Sequence, residues 1–192
     1  MISIGILIFP QVEELDFVGP FEVLSYVNKI QPESTKVQLV AEALAPVSAF
    51  NGMKIIPDLT LQDCPLFDIV IIPGGRGRSY AMKNPAIKEF ILRQSKTAHI
   101  IASVCTGAFL LAEAGLLTGK KATTYHAAFE ELNSYSVKVI KSKVVRDGKI
   151  VTAGGVSSGL ELGFYLLREL FSPSISQEVA NKIEYKINVN TL

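Results

Sequence analysis

The sequence predicts an α/β chain: a doubly wound, mostly parallel sheet with helices on both faces. Three observations carry this. Short apolar runs alternate with amphipathic stretches along all 192 residues. The run Asp68-Ile69-Val70-Ile71-Ile72-Pro73 is almost continuously apolar, as a strand buried on both faces must be. Small residues and glycines follow such runs, where a parallel strand hands over to a helix. No repeat, low-complexity segment or linker interrupts the pattern, and a single domain over residues 1–192 is expected.

Taken in order, Ile4 to Phe9 reads as the first buried strand. Val18 to Ile30 reads as a helix, with Phe21, Val23, Leu24 and Val27 on its apolar side. Lys36 to Ala41 is a strand. Pro46 to Phe50 and Met53 to Pro57 flank Asn51-Gly52, a two-residue hairpin signal. The central strand Asp68–Pro73 leads into the loop Gly74-Gly75-Arg76-Gly77. Asn84 caps a helix that opens on Pro85 and runs to Ser95. His99 to Val104 is the next strand, and Thr106 to Ala114 the helix after it. Lys121–Thr124, Val137–Val139 and Val144–Arg146 are short strands, with a short helix at Ala127–Leu132. Asp147-Gly148 turns the chain into a strand at Ile150–Ala153. Two helices, Ser157–Leu170 and Pro173–Ile187, complete the chain.

Composition narrows the function classes. Hydrophobic residues make up 48% and charged residues 19%, so the chain folds into a packed core. Nineteen Lys and Arg against eighteen Asp and Glu leave a net charge of +1, with no run of like charges to attract nucleic acid or a membrane surface. The apolar N-terminus lacks the basic flank and cleavage site of a signal peptide, and no stretch reaches the ~20 apolar residues of a membrane span. A cytoplasmic protein with reduced thiols is expected. With two histidines and two separated cysteines, no metal site is expected. Neither a phosphate-binding GxxxxGK[ST] nor a dinucleotide-binding GxGxxG is present, so no cofactor is expected.

The chemistry concentrates at Ser103-Val104-Cys105-Thr106-Gly107-Ala108. A cysteine between a buried strand and a helix, framed by small residues, has the layout of a nucleophile elbow. The start of that helix would favour the thiolate. Thr106 opens the helix and would present its backbone N–H near the thiol. Gly74 and Gly75 read either as an ordinary turn or as backbone donors lining an oxyanion-type hole. Asp16, between Leu15 and Phe17, reads either as a helix cap or as a carboxyl whose apolar setting raises its pKa and lets it carry protons. His126 after Tyr125 is a site residue or a helix cap. Cys64 and His99, outside any such frame, read as structural.

Together these motifs resemble the DJ-1/PfpI (ThiJ) superfamily, and within it the isonitrile hydratase branch. The resemblance rests on Leu15-Asp16-Phe17-Val18-Gly19-Pro20-Phe21-Glu22-Val23-Leu24, Ile72-Pro73-Gly74-Gly75-Arg76-Gly77, the Cys105 segment with Ala114-Gly115-Leu116-Leu117, and Ala122-Thr123-Thr124-Tyr125-His126. Asp147 to Gly155 fits as well. The resemblance implies a flavodoxin-like fold, Cys105 as nucleophile, Asp16 as acid/base in the hydratase manner, Thr106 beside the nucleophile, and Gly75 and Thr106 N–H groups toward the bound species. It implies hydration of an isonitrile to an N-substituted formamide, with Gly74, Gly75, Tyr125 and His126 around a small-molecule substrate. It also implies a homodimer. Related sequences often read Thr-Thr-His-Trp where this chain has Thr124-Tyr125-His126, so its histidine is displaced by one position. Adjacent strand residues point to opposite faces, which speaks against a Cys–His protease-like pair. Three other readings stay open: a redox-sensing thiol, another hydrolase such as an amidase or protease, and a ligand-binding module of the regulator type. No DNA-binding helix-turn-helix is expected after the core.

Overall fold

The computed structural model describes residues 1–192. In chain order the elements are β1 (Ile2–Leu7), α1 (Glu14–Tyr26), β2 (Thr35–Ala41), β3 (Val47–Ser48), β4 (Lys54–Ile55), β5 (Leu59–Thr60), β6 (Ile69–Ile72), α2 (Arg78–Lys83), α3 (Pro85–Ser95), β7 (Ile100–Val104), α4 (Ala108–Glu113), β8 (Lys121–Ala122), α5 (Phe129–Asn133), β9 (Lys138–Val139), β10 (Val144–Asp147), β11 (Ile150–Ala153), α6 (Ser158–Leu170) and α7 (Pro173–Lys182). Seven strands form one sheet in the order β10-β11-β7-β6-β1-β2-β5, parallel except for the edge strand β10. Ile4 of β1 pairs with Val37 on one side and Ile69 on the other, and Ile101 of β7 pairs with Val70 and Ile150.

The strand order reverses between β1 and β6. The chain leaves β1 toward β2, and leaves β6 in the opposite direction, toward β7. Right-handed crossovers therefore put α1 and α3 on opposite faces of the sheet. One helical layer is α1, α6 and α7; the other is α2, α3 and α4. The apolar sequence of β6 follows from this burial, since all four of its residues lie inside. The crevice at such a reversal, beyond the carboxyl ends of the strands, is where doubly wound sheets bind ligands.

Asn84 caps α3 as expected, its side chain accepting from the Ala86 and Ile87 N–H groups, with Pro85 at the first helical position. Four expectations shift. α1 begins at Glu14 rather than Val18, because Pro20 sits in the helix interior instead of its first turn. A proline there has no N–H to give the carbonyl of Asp16, four residues back. The hairpin at Asn51-Gly52 forms, but Val47 pairs with Ile55 and Ser48 with Lys54, so the loop has five residues and Gly52 takes φ +99° within it. α7 stops at Lys182, where Glu184 at φ +57° reverses the chain and the Tyr185 N–H bonds the Ala180 carbonyl. α2 and the edge strand β5 are additions, both too short and too polar to show a period.

α1 and α6 approach very closely. A Cβ on Gly19 would lie 3.2 Å from the Leu160 backbone nitrogen, and one on Gly163 would lie 2.7 Å from the Val23 Cβ. This contact holds the first turn of α1, with Asp16, over the end of the sheet.

Candidate active site

Cys105 stands at the carboxyl end of β7, the strand between β6 and β11. Val104 is still extended, at φ −120° and ψ 142°, and Cys105 then turns to φ +54°. The left-handed region is sterically costly for a residue with a Cβ and persists only where the surroundings impose it. Here the backbone is pinned from both sides. The Cys105 N–H donates to the Gly154 carbonyl at 2.7 Å, and its carbonyl accepts from the Thr124 hydroxyl at 2.7 Å. Gly107 is obligatory, because a Cβ there would lie 2.0 Å from the Ile72 carbonyl oxygen.

Asp16, in the first turn of α1, is completely buried. Its Oδ2 accepts the Gly74 N–H at 2.8 Å, while Oδ1 has no partner. Burial pushes its pKa up to about 8; the neighbouring charge of Glu13 adds to this, and the Gly74 N–H and the Cys105 thiol oppose it. The carboxyl is therefore protonated at neutral pH.

The thiol differs from the sequence-based expectation of a favoured thiolate. Burial pushes the Cys105 pKa up to about 12, Asp16 and Glu13 push the same way, and the N–H and hydroxyl of Thr106 pull against them. The helix meant to stabilise a thiolate is a single 3₁₀ turn, Cys105–Gly107, followed by the six residues of α4. Its dipole is small, and no cation is among the groups that shift the thiol.

Thr106 joins two of the segments. Its hydroxyl accepts the Gly75 N–H at 3.1 Å and also lies beside the thiol. Gly74 has no room for a side chain, since a Cβ would meet Thr106 Oγ1 at 2.4 Å, and Gly75 takes φ +126° against the Gln11–Glu13 backbone. The N–H groups expected as oxyanion donors thus have partners within the protein: that of Gly74 serves Asp16 and that of Gly75 serves Thr106. The Thr106 N–H faces the thiol.

Tyr125 and His126 lie on the other side of Cys105. They border a cleft of about 630 Å³, together with Leu15, Phe129, Lys141 and the segment Gly154–Ser158. Cys105 and Asp16 do not line it. Thr124 and Gly154 do, and both bond the Cys105 backbone. His126 is exposed at the start of a 3₁₀ turn, its ring 4.4 Å from that of Tyr125, and no hydrogen bond joins it to the thiol. Tyr125 is half-buried, packed against Gly155. Cys64 is buried at a distance, its sulfur accepting from Arg93 and Gln94 and its pKa raised by that burial. Sequence reasoning missed Glu13, whose charge reaches both Asp16 and Cys105; its only signal was adjacency to Glu14-Leu15-Asp16. No three His, Cys, Asp or Glu side chains gather as a metal site would need, and no helix is long and apolar enough to cross a membrane.

A cysteine at a strained turn beyond a parallel sheet, with a buried carboxyl brought to it from the first helix, defines a class of α/β cysteine proteins. The family model "DJ-1/PfpI family" matches residues 2–169, and the chain belongs to that family. Among curated relatives, it is 38% identical over 184 residues to isonitrile hydratase of Pseudomonas putida, covering 96% of this chain and 78% of that one. It is 30% identical over 180 residues to protein dj-1beta of Drosophila melanogaster, covering 91% of this chain and 92% of that one. The crystal structure of a ThiJ/PfpI family protein from Pseudomonas syringae superposes with a TM-score of 0.90 at 29% identity, over 97% of this chain and 76% of that one.

Proposed function

We propose that the protein hydrates an isonitrile to an N-substituted formamide, with Cys105 as nucleophile and Asp16 as acid and base. The observation that carries this reading is the buried Asp16 carboxyl, whose Oδ2 is held by the Gly74 N–H and whose Oδ1 has no partner, next to the Cys105 thiol. The likeness to isonitrile hydratase of Pseudomonas putida supports it.

An isonitrile carbon accepts a proton and a nucleophile at the same atom. Asp16 and Cys105 both hold their protons at neutral pH, which suits such an addition. Asp16 gives its proton to the isonitrile carbon, sulfur bonds to that carbon, and the thiol proton passes to Asp16. The product is a thioimidate, formed with no net charge left in a buried site. Water then adds to the same carbon, with Asp16 relaying its proton to nitrogen. The C–S bond breaks, Cys105 regains a proton, and the formamide leaves. The Thr106 N–H and hydroxyl stabilise the sulfur as charge develops on it. A redox-sensing thiol would need thiolate character and exposure, and the burial of Cys105 argues against that alternative.

The test is formamide production from a simple alkyl isonitrile, followed by mass spectrometry. Turnover by the parent, abolished in Cys105→Ala and strongly reduced in Asp16→Asn, is the expected result. A parent without turnover overturns the hydration reading, and turnover surviving Cys105→Ala overturns the nucleophile.

A further inference from the structure

The cleft beside the elbow holds polar groups that the hydration chemistry does not use. The thirteen-residue helix α6 starts on it. The N–H groups of Gly155, Val156 and Ser157, just ahead of that helix, take no part in the backbone hydrogen bonds. Ser158 is 1% exposed, yet its hydroxyl has no partner. That oxygen sits 3.3 Å from the place where Gly154, another residue of the cleft wall, lacks a Cβ. A buried hydroxyl without a partner is destabilising, so its retention beside open space points to a ligand atom that completes it.

The charges around the cleft have one net sign. Lys141 and Lys143 line it. Lys143 is partly neutralised by Glu161 in the first turn of α6, Nζ to Oε1 3.6 Å. Lys141 forms no ion pair and stands 6.0 Å over the Phe129 ring. Two ammonium groups against one carboxylate leave a single positive charge at the positive end of a helix, which fits a monoanion better than a phosphate dianion.

We propose that this cleft is a carboxylate subsite, and that the substrate is an isonitrile whose organic group ends in a carboxylate. The proposal rests on the hydration reading for the isonitrile end alone. The carboxylate meets the open N–H groups and the Ser158 hydroxyl, with Lys141 at the rim, while the isocyano carbon reaches Cys105. The cleft wall adjoins the elbow, because the Cys105 N–H bonds the carbonyl of Gly154.

The experiment compares butyl isonitrile with its analogue ending in a carboxylate, using the parent, Lys141→Met and Ser158→Ala. Lys141 is exposed, so its replacement leaves the fold intact. The parent should favour the carboxylated isonitrile by about tenfold or more in kcat/KM, through KM, and each variant should lower that preference about tenfold. No preference, or a preference untouched in Lys141→Met, overturns the subsite while leaving the hydration reading in place. Should neither isonitrile turn over, the hydration reading fails and binding decides the subsite. Butanoate should then slow alkylation of Cys105 in the parent, and slow it less in Lys141→Met. No slowing, or stronger slowing by inorganic phosphate than by butanoate, overturns the proposal.

Discussion

Asp16 keeps its proton into the neutral range because burial strips water from the carboxylate and only the Gly74 N–H replaces it. Its charge, once formed, holds the Cys105 thiol further up. Alkylation of Cys105 by iodoacetamide should therefore still accelerate above pH 9, and Asp16→Asn should move the midpoint down by removing that charge. A parent midpoint below pH 7, read by mass spectrometry, would sink this account. Turnover, where the protonated carboxyl starts the reaction, should decline as pH rises through about 8. Gly74→Ala places a Cβ 2.5 Å from the Thr106 nitrogen and displaces the elbow. A loss of about 100-fold in kcat/KM is expected, since misplacement by ~1 Å costs that much. Cys105 and Asp16 stand out in the sequence because small residues frame the one and apolar residues flank the other. The sign of the thiol shift does not, because it depends on burial and on two carboxyls, Asp16 in α1 and Glu13 just before it, that folding brings in.

Helix α3 is written in its first residues, and Asn84→Ala should cost about 1 kcal/mol in a urea titration, because two N–H groups lose their acceptor. α1 is harder to read. Pro20 mimics a helix start, yet it lies inside α1, where its ring packs against Gly159 of α6. Gly163→Ala tests that packing. Its Cβ would lie 2.7 and 2.9 Å from the Val23 Cβ and Cγ1, so α6 must shift away from α1. A loss of about 1–3 kcal/mol is expected. Turnover should fall with it, because the first turn of α1 carries Asp16. Unchanged turnover in a destabilised variant would show that the helix contact does not position the carboxyl. The strands were legible from their apolar runs; α2 and β5 were not, being short segments recruited by their neighbours.

Across the whole molecule, carboxyls set the pH dependence of stability from opposite directions. Asp16 has a folded pKa of about 8 against an ordinary value of 3.8, so between those values the native state binds more protons than the unfolded chain. Stability from this group falls as pH rises through that window, with a slope approaching about 1.4 kcal/mol per pH unit. Asp68 is held below its usual range by the Ser3 N–H and hydroxyl, and contributes stability that is lost as pH falls. Asp16→Asn should therefore raise the urea midpoint most near pH 8 and hardly at all near pH 4. An equal gain at both pH values would overturn the assignment. The mostly parallel sheet and the placement of the site beyond its strand ends follow from alternating strands and helices, whereas the strand order, its reversal between β1 and β6 and the cleft appear only when distant segments fold together. β7 has a different neighbour on each side. The loop after β6 tends the carboxyl and the hydroxyl beside the sulfur; the loop after β11 walls the cleft. On the proposed function, bond-making and selectivity thus draw on loops after different strands that meet at the elbow backbone and at the first turn of α1, where Leu15 lines the cleft and Asp16 neighbours the thiol. Paired substitutions drawn from the two loops should act additively, and a lineage built on this scaffold is free to change what it admits while its bond-making apparatus stays as it is.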